Sequence, residues 1–276
     1  APRCAVDPSH SVTSRTSRQL FLDLPSLTPA LKDWLDTVSP SWSSNASSIT
    51  AAWLREGLRQ RCITRDLQWG TPVPLEGFTD KVFYVWFDAP IGYISMTATY
   101  TPEWRQWWHN PDNVDLVQFM GKDNVPFHTV IFPSSLMGTG DNWTLLKKLS
   151  TTEYLSYEGG KFSKSRNLGV FGNHARETVA PSEVWRYYLL SARPESSDSM
   201  FNWDDFAAAN NNELIKNLGN FANRALKFSF SKFDGKVPGI GSAPGDREAA
   251  LTTSVNALLK TYLQQMEDIQ IRAALF

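Results

Sequence analysis

Residues 114–123 read Val114-Asp-Leu-Val-Gln-Phe-Met120-Gly-Lys-Asp123, and they decide the fold class. The first seven residues are mostly apolar, as in a strand buried on both faces, and a polar turn follows. Pro126 to Leu136 then has the pattern of a helix. A buried strand, a polar turn and a helix in series are typical of parallel α/β sheets. Ligands bind there beyond the carboxyl ends of the strands.

A second unit of the same kind precedes this one. Lys81-Val-Phe-Tyr-Val-Trp-Phe87 is a continuous apolar run, which predicts another buried strand, and Pro90 ends it. Ile91 to Tyr100 suits the helix that follows. The sequence therefore predicts an α/β fold with a parallel sheet, and ligands near Asp88–Tyr93 and Gly121–His128.

Other segments extend this pattern on both sides. From Trp203 onward the sequence is helical throughout, with Asn202 or Asp204 as the cap and a break at Asp234-Gly235. A flexible link is predicted at Pro238–Gly245. The remaining predicted elements are a strand at Gln19–Leu24 and helices at Thr28–Val38, Ile49–Gly57 (capped by Ser48), Pro181–Leu190 and Arg247–Leu275.

Composition limits the classes of function. The chain has 276 residues, is 42% hydrophobic and contains 11 Trp, so it can bury a sizeable core. Its net charge of -1 excludes a global basic field, so any nucleic-acid contact must come from a local patch. Cys4 and Cys62 are too few for a disulfide framework. No apolar run approaches the roughly 20 residues of a membrane span, so a cytoplasmic protein is expected.

The two ends of the chain suggest an excerpt. The sequence begins with Ala1 rather than Met, and it ends at Phe276 inside a helical pattern. We expect it to be a piece of a longer protein.

The segment Lys161-Phe-Ser-Lys-Ser165 follows two glycines and carries two lysines three positions apart. Glycine allows close approach of the backbone to a phosphate, and each ammonium can stabilise charge that develops on a leaving pyrophosphate. The segment therefore suits a mobile loop that holds polyphosphate. On its own, such a run is more often a solvated surface turn.

Four stretches together resemble one family. They are Ile63-Thr-Arg-Asp66 with Trp69-Gly70, Val85-Trp-Phe-Asp-Ala-Pro-Ile-Gly-Tyr93, Gly121-Lys-Asp-Asn-Val-Pro-Phe-His128 and Lys161-Phe-Ser-Lys-Ser165. Their order and spacing resemble the methionyl-tRNA synthetases, which are class I aminoacyl-tRNA synthetases. The lysine segment usually reads Lys-Met-Ser-Lys-Ser, so Phe162 replaces an apolar anchor.

The resemblance implies a division into three parts. Residues 1–19 would be the trailing edge of a degenerate zinc-knuckle insertion. Residues 20–197 would be the second half of a Rossmann-like catalytic domain with the lysine loop. Residues 198–276 would begin an all-α helical domain that binds the anticodon.

The resemblance also implies a methionine pocket. Its walls would be Trp86, Ala89, Pro90 and Tyr93, with His128 at the end of the pocket as a polar wall rather than a metal ligand or base. A thioether suits such a polarizable, aromatic slot. Ordinary core packing is the alternative for the aromatic residues, and a structural role is the alternative for His128.

The adenosine of ATP would contact Gly121 and Asp123, and Asp123 would accept the ribose hydroxyls. A helix N-cap is a second role open to Asp123. Lys161 and Lys164 would bind the phosphates, and Lys164 with Lys161 and Ser163 would stabilise the transition state. Arg65 would hold the substrate carboxylate at the reaction centre; its alternative is a buried ion pair with Asp66 or Asp88.

In the helical tail, Asn220 and Arg224 match a pair that would read the anticodon of tRNA. A spacing of four residues places both side chains on one helix face, where an amide and a guanidinium can contact unstacked bases. A solvated helix face is the alternative.

Two features of the family are missing. No His-x-Gly-His segment, which binds the ATP phosphates, occurs in the chain. Near the start, Cys4 is kept but Asp7 replaces the second Cys of the knuckle, and His10 is a substitute candidate. One Cys and one His do not make a tetrahedral site, so no zinc is expected; the expected cofactor is ATP with Mg.

The resemblance implies a methionine–tRNA ligase whose substrates are methionine, ATP and tRNA-Met. The isolated 276 residues should be nearly inactive, because half of the ATP site is missing. The alternatives are a non-catalytic tRNA-binding or scaffold remnant and a class I synthetase for leucine, isoleucine or valine. The residues leave open whether the protein joins a multi-synthetase complex, and they predict no membrane association.

Overall fold

The structure, a computed structural model, describes residues 3–7, 9–237, 239, 241 and 245–276. It divides into two compact units, residues 1–151 and 152–276. Five positions of the predicted link, 238, 240 and 242–244, lie outside the described residues. The domain boundary predicted at residues 197/198 falls within the second unit and stays a prediction.

The first unit begins with two helices that start earlier than predicted. After strand β1 (Phe21–Leu22), helix α1 spans Leu24–Val38. Its Pro25 lies in the first turn, where a missing N–H leaves no helical hydrogen bond unmade. Helix α2 spans Ser44–Glu56 and has Ser43 rather than Ser48 at its N-cap. It ends at Gly57, whose φ of 82° is left-handed.

The strands of the first unit are short and pair two by two. Strand β1 pairs antiparallel with β2, and β3 pairs antiparallel with β4. Strands β5 and β6 pair with each other. The bounds of the remaining strands are Arg61–Cys62 for β2, Thr64–Arg65 for β3, Val82–Phe83 for β4, Leu116–Gly121 for β5 and Leu146–Thr152 for β6.

The strand predicted at Lys81–Phe87 is wrong beyond its first residues. Only Val82–Phe83 (β4) form a strand, and after the extended Tyr84 the chain turns into the short helix α3, Val85–Asp88. A continuous apolar run fits a buried strand or a helical turn equally well, so its periodicity cannot decide between them. In the turn, Phe87 packs against the core, and Val85 is 59% exposed. Strand β4 pairs with β3, in a separate sheet from β5.

The other predicted elements of this unit are present. Helix α4 spans Ile91–Tyr100, with the predicted bounds, and α5 spans Trp104–Trp108. After β5, a 3₁₀ turn (Lys122–Asn124) leads to a π-helical segment (Phe127–Ile131) and to α6, Phe132–Met137. The sequence of strand, polar turn and helix predicted there is confirmed.

Two apolar clusters hold the first unit together. The larger joins α1 and α2 to the segment after β5 and to β6, and its buried members are Leu24, Leu31, Leu35, Trp42, Ala46, Val125, Val130, Ile131, Leu146 and Leu149. The smaller consists of Ile94, Trp108, Phe132 and Leu136. The segment 125–132 therefore contributes to both clusters.

The second unit is built around one parallel strand pair. Strand β7 (Leu155–Tyr157) lies parallel to β8 (Ser199–Phe201), with Leu155 opposite Ser199. The chain between them forms α7 (Gly172–Glu177) and α8 (Ser182–Ser191), the latter led by Pro181. The core is Val184, Tyr188, Phe201, Phe206 and Ala209.

The tail of the second unit is helical, as predicted. Asn202 caps α9 (Trp203–Ala208) by accepting the Asp205 N–H at 2.7 Å. A π-helical segment (Ala209–Gly219) continues into α10, Asn220–Phe233. The helix predicted at Arg247–Leu275 is two helices, α11 (Asp246–Glu267) and α12 (Ile271–Leu275), because Ile269 has a φ of 59°. In the described ranges, no helix is long and apolar enough to cross a bilayer.

Candidate functional site

Trp86 stacks on Phe127 in the first unit. Their ring centroids are 4.5 Å apart and their planes are inclined by 18°. The turn of α3 places Trp86 there, and 43% of the side chain remains exposed. The pair therefore presents a flat, polarizable surface, which suits the sulfur of a thioether.

Tyr93 and His128 form the polar part of the same wall. The Tyr93 hydroxyl lies 2.9 Å from His128 Nε2, and the rings are 5.6 Å apart. Because Phe127 and His128 are adjacent in the chain, this pair lies beside the pair of Trp86 and Phe127. The structure thus brings together predicted residues from Val85–Tyr93 and Gly121–His128.

The hydrogen bonds of His128 define its tautomer. Its Nδ1 lies 2.8 Å from the Asn124 carbonyl, which can only accept, so Nδ1 carries the proton. Burial lowers the pKa of His128 below its ordinary value of 6.5, although the Asn124 carbonyl acts in the opposite direction. The ring is then neutral near pH 7, and Nε2 accepts from Tyr93. This arrangement fits a fixed pocket wall rather than a proton-transfer group.

Ala89 and Pro90 connect these aromatic residues through the backbone. The Ala89 N–H donates to the Val85 carbonyl at 2.9 Å, and the Tyr93 N–H donates to the Pro90 carbonyl at 3.2 Å. Pro90 is buried and Ala89 is exposed. Both fix the path of the chain between Trp86 and Tyr93.

Arg65 lies on β3 with its guanidinium over the Tyr84 ring, 3.6 Å from the centroid. It also donates to the Thr64 carbonyl at 2.9 Å. Asp66 is paired elsewhere: Lys81 Nζ lies 2.5 Å from its carboxylate, and this hydrogen bond lowers the pKa of Asp66 and raises that of Lys81. Neither predicted ion pair of Arg65 occurs among the described residues, so that alternative is wrong.

Arg65 is one of the residues that line an open cleft of about 720 Å³. Asp88 also lines the cleft, and its walls are largely apolar. The lining residues are Arg65, Leu67, Gln68, Trp69, Gly70, Thr71, Val82, Phe83, Tyr84, Val85 and Asp88. One fixed cation in such a cleft can orient an anionic group of a ligand.

The predicted adenosine residues follow the end of β5. Gly121 is the last residue of the strand, and a Cβ there would meet no atom of the described chain within 4 Å. Asp123 is exposed in the following 3₁₀ turn. Asp123 is not an N-cap: Gly121 occupies the N-cap of that turn, and Pro126 occupies the N-cap of the next helical segment. The N-cap role is therefore wrong, and the carboxylate lies beyond a strand end as a ribose contact requires.

The lysine loop of the second unit starts from a tight turn. Tyr157 and Gly160 exchange two backbone hydrogen bonds of 2.8 Å, with Glu158 and Gly159 at positive φ between them. The Glu158 carboxylate accepts the Trp203 N–H at 3.0 Å. The turn is thus attached to the helical segment that follows β8.

Phe162 anchors the loop. Its ring lies 5.3 Å from that of Tyr157 and 6.0 Å from that of Phe171. Gly169 has a φ of 129°, and a Cβ there would come within 2.3 Å of the Phe162 ring. The expected apolar anchor at position 162 is therefore present, and it requires glycine at position 169.

The polar groups of the loop are directed to solvent. Lys161 and Lys164 are exposed, and neither has an ion-pair partner in the part of the chain that the structure describes. Ser163 is half-buried, exchanges backbone hydrogen bonds with Leu168 and accepts from Arg166 Nε at 3.2 Å. The loop offers cations and a hydroxyl, which are donors suited to phosphate oxygens.

The predicted anticodon pair lies on α10. Asn220 is the first residue of the helix, and Arg224 follows one turn later. Both side chains are exposed. This geometry fits a base-reading face and equally fits a solvated face.

A sequence profile described as tRNA synthetases class I (M) matches residues 1–226. The chain is also 56% identical, over 99% of its length, to a probable cytoplasmic methionine–tRNA ligase of Schizosaccharomyces pombe. The chain belongs to the class I methionyl-tRNA synthetases. The predicted resemblance is confirmed, and with it the α/β fold class.

Other synthetases of this family match over similar lengths. The cytoplasmic methionine–tRNA ligase of Homo sapiens is 55% identical over 99% of the chain. A Mycobacterium tuberculosis methionyl-tRNA synthetase, solved with methionyl-adenylate bound, superposes with a TM-score of 0.80, 25% identity and 92% coverage of the chain. The chain spans 36% of the Schizosaccharomyces relative, 30% of the human one and 49% of the mycobacterial one.

The three residues that the resemblance assigns to a degenerate knuckle, Cys4, Asp7 and His10, lie near each other. Cys4 Sγ is 3.5 Å from His10 Nδ1, and His10 Nε2 is 3.6 Å from the Asp7 carboxylate. Hydrogen bonds from Ser9 lower the pKa of Asp7, and backbone N–H groups lower that of Cys4. Within residues 3–7, 9–237, 239, 241 and 245–276, no group of three His, Cys, Asp or Glu could hold a metal ion. The absence of zinc stays a prediction.

Two aromatic partners of the candidate site residues were not among the predicted residues. Phe127 stacks on Trp86, and Tyr84 lies under Arg65. Both belong to the stretches that carry the resemblance or to the apolar run before them. Their contacts join distant parts of the sequence, so no local pattern predicts them. The sequence marks these two residues only through the predicted residues next to them.

Proposed function

We propose that the natural polypeptide containing this chain is a methionine–tRNA ligase. One observation carries the proposal: the hydrogen-bonded pair of Tyr93 and His128 lies beside the stacked pair of Trp86 and Phe127. Together they form an aromatic wall with a single fixed polar end, which suits a thioether side chain.

In the proposed first reaction, a methionine carboxylate oxygen attacks the α-phosphorus of ATP. Methionyl-adenylate forms and the bond to pyrophosphate breaks. Arg65, held over Tyr84, would orient the carboxylate. No covalent enzyme intermediate is required, so catalysis comes from positioning and charge stabilisation.

In the first unit, the proposed contacts of ATP are Gly121 and Asp123. Asp123 would accept the ribose hydroxyls beside Gly121. Lys161 and Lys164 would hold the phosphates, with Lys164 stabilising the leaving pyrophosphate and Ser163 in support. The loop offers ammonium groups rather than carboxylates to this substrate, so Mg²⁺ would be held by phosphate oxygens and neutralise their charge.

In the second reaction, a terminal ribose hydroxyl of tRNA-Met attacks the carbonyl of the adenylate and AMP leaves. Asn220 and Arg224 would read the anticodon from α10. Residues 198–276 would begin the anticodon-binding domain, and residues 1–19 would end a degenerate knuckle without zinc.

A cytoplasmic location follows from the names of the related proteins, several of which are called cytoplasmic. Membership in a multi-synthetase complex is a separate question that co-purification from cells would answer.

The test is methionine-dependent ATP–pyrophosphate exchange by the natural polypeptide. Trp86→Ala removes the stacked indole, so the KM for methionine should rise about 30-fold or more, as expected for the loss of about 2 kcal/mol of apolar contact. Trp107→Ala, at an exposed tryptophan of α5 (57% exposed), should leave KM unchanged.

Two results would contradict the proposal, and a third would contradict only the expected inactivity of the isolated 276 residues. Exchange stimulated by leucine, isoleucine or valine rather than methionine would indicate another class I synthetase. RNA binding without exchange would indicate a non-catalytic remnant. Normal turnover by the isolated 276 residues would show that the segment His-x-Gly-His is not needed.

A further inference from the structure

We propose that Lys227 binds a phosphate of the tRNA anticodon loop next to Asn220 and Arg224. This inference rests on the proposed function and adds a residue that the resemblance does not assign. It concerns only α10, Asn220–Phe233, in the second unit.

Helical geometry places Lys227 on the predicted anticodon face. Each residue of an α-helix turns by about 100°, so residues 3, 4, 7 and 11 positions apart lie along one side. From Asn220, these positions are Asn223, Arg224, Lys227 and Ser231. All of them are exposed.

The rest of the helix is mostly apolar, so this polar row is a distinct face. Phe221 and Phe228 flank it on one side, and Leu226 and Phe230 lie on the other. Ser231 donates its hydroxyl to the Lys227 carbonyl at 2.6 Å, which leaves its oxygen able to accept. The row therefore carries amides, a guanidinium, an ammonium and a hydroxyl.

The charge of α10 favours an anionic ligand. The helix contains Arg224, Lys227 and Lys232 and no Asp or Glu, although the whole chain has a net charge of -1. Lys227 has no ion-pair partner within the described ranges. No existing ion pair therefore has to break when its ammonium binds an anionic ligand. A local cationic face of this kind is what a nearly neutral protein needs to bind RNA.

The chemistry of the row separates two tasks. Asparagine and arginine can hydrogen-bond to the edges of unstacked bases, and lysine supplies a point charge for a phosphate. Lys227 lies one helical turn from Arg224, so one RNA strand can contact both. Base recognition is assigned to Asn220 and Arg224, and sequence-independent affinity to Lys227.

Lys232 is a matched control on the same helix. It is an exposed lysine five residues beyond Lys227, which rotates it by about 140° to a position between apolar residues. Lys227→Gln and Lys232→Gln therefore change the net charge of α10 equally but on different faces of the helix.

The experiment measures binding of an RNA hairpin with the anticodon arm of a methionine tRNA to the natural polypeptide, by fluorescence anisotropy between 50 and 200 mM salt. Lys227→Gln should raise Kd about fivefold near 0.1 M salt and reduce the slope of log K against log salt by about 0.7, as for one lost phosphate contact. It should act equally on a hairpin with a changed anticodon. Lys232→Gln should change neither quantity.

Arg224→Ala distinguishes the two proposals. If it abolishes the preference for the methionine anticodon while Lys227→Gln behaves like Lys232→Gln, only the role of Lys227 is wrong. If it leaves RNA binding and aminoacylation unchanged, the anticodon face itself is wrong. Thermal unfolding by circular dichroism should be unchanged in both lysine variants. Equal changes in Kd and in salt slope in the two lysine variants would indicate a general charge effect and overturn the inference.

Discussion

The aromatic wall of the first unit and the lysine loop of the second are built on opposite plans. In the wall, the groups proposed to contact the substrate also contact each other: Trp86 stacks on Phe127, and Tyr93 hydrogen-bonds to His128. In the loop, the exposed lysines are separate from the residues that hold the loop, which are Phe162 and its aromatic neighbours.

This difference predicts how far stability and function can be separated. A rigid site for a small substrate needs side chains that fix one another, so substitutions there should affect binding and folding together. A loop that stabilises charge developing during a reaction needs cations that form no ion pairs. The residues that hold the loop in place must then be different ones. Substitutions in the loop should then affect either catalysis or folding.

The largest expected effect is on catalysis by the loop. Lys164→Met in the natural polypeptide should lower the rate of ATP–pyrophosphate exchange about 100- to 1,000-fold, as for the loss of one preorganised charge at a transition state. The midpoint of thermal unfolding should not change, because Lys164 is exposed. Lys236→Met, at another exposed lysine of the same unit, is the control. A large loss of stability in Lys164→Met would contradict the separation.

A smaller effect is expected on the loop anchor. Gly169→Ala imposes a side chain at a φ of 129° and against the Phe162 ring, so it should lower the free energy of unfolding by about 1–3 kcal/mol. Denaturant unfolding followed by tryptophan fluorescence would measure this. Gly160→Ala is the matched control in the same loop: its Cβ would lie 3.6 Å from Leu168, an ordinary contact, and its φ is not left-handed. Equal effects of the two substitutions would show that Phe162 moves aside easily.

The smallest effect is a pH dependence of the wall. Burial lowers the pKa of His128, so the unfolded chain takes up a proton first as the pH falls. The stability that depends on neutral His128 is complete above pH 6.5, and it decreases as the pH falls from 6.5 towards the folded-state pKa. One such group changes the free energy of unfolding by at most about 1.4 kcal/mol per pH unit.

His128→Gln should reduce the loss of unfolding free energy that occurs as the pH falls below 6.5. Tyr93→Phe should keep this loss, because His128 stays buried. Denaturant unfolding at several pH values provides the comparison. An unchanged slope in His128→Gln would assign the acid sensitivity to other residues.

Local sequence signals predicted the elements that depend on nearby residues. Helix α4 has the predicted bounds, and the cap at Asn202 and the break at Asp234-Gly235 are present. The sequence patterns predicted the wrong element where the same residues are compatible with two kinds of secondary structure. Pro25 suited the first turn of α1 as well as the end of a strand, and the apolar run at 81–87 suited a turn as well as a strand. The break at Ile269 has no glycine or proline to mark it.

The candidate site was predictable as a set of residues but not as a set of contacts. The motif stretches identified Trp86, Tyr93, His128 and Arg65. Their partners depend on how segments pack: Tyr93 and His128 are 35 positions apart, and Arg65 is 19 from Tyr84. The predicted partners of Arg65 were acidic neighbours, but Asp66 is occupied by the buried Lys81, so Arg65 stacks on an aromatic ring instead.

The phenylalanine at position 162 also determines how the loop responds to oxidants. A methionine at this anchor would be converted by peroxide to a polar sulfoxide and lose its apolar contacts, whereas a phenyl ring resists that reaction. A thioether lies at the base of the loop: the sulfur of Met200 accepts the Gly159 N–H at 3.0 Å, and the residue is 44% exposed. Oxidative damage would therefore begin at the base of the loop and leave its anchor intact.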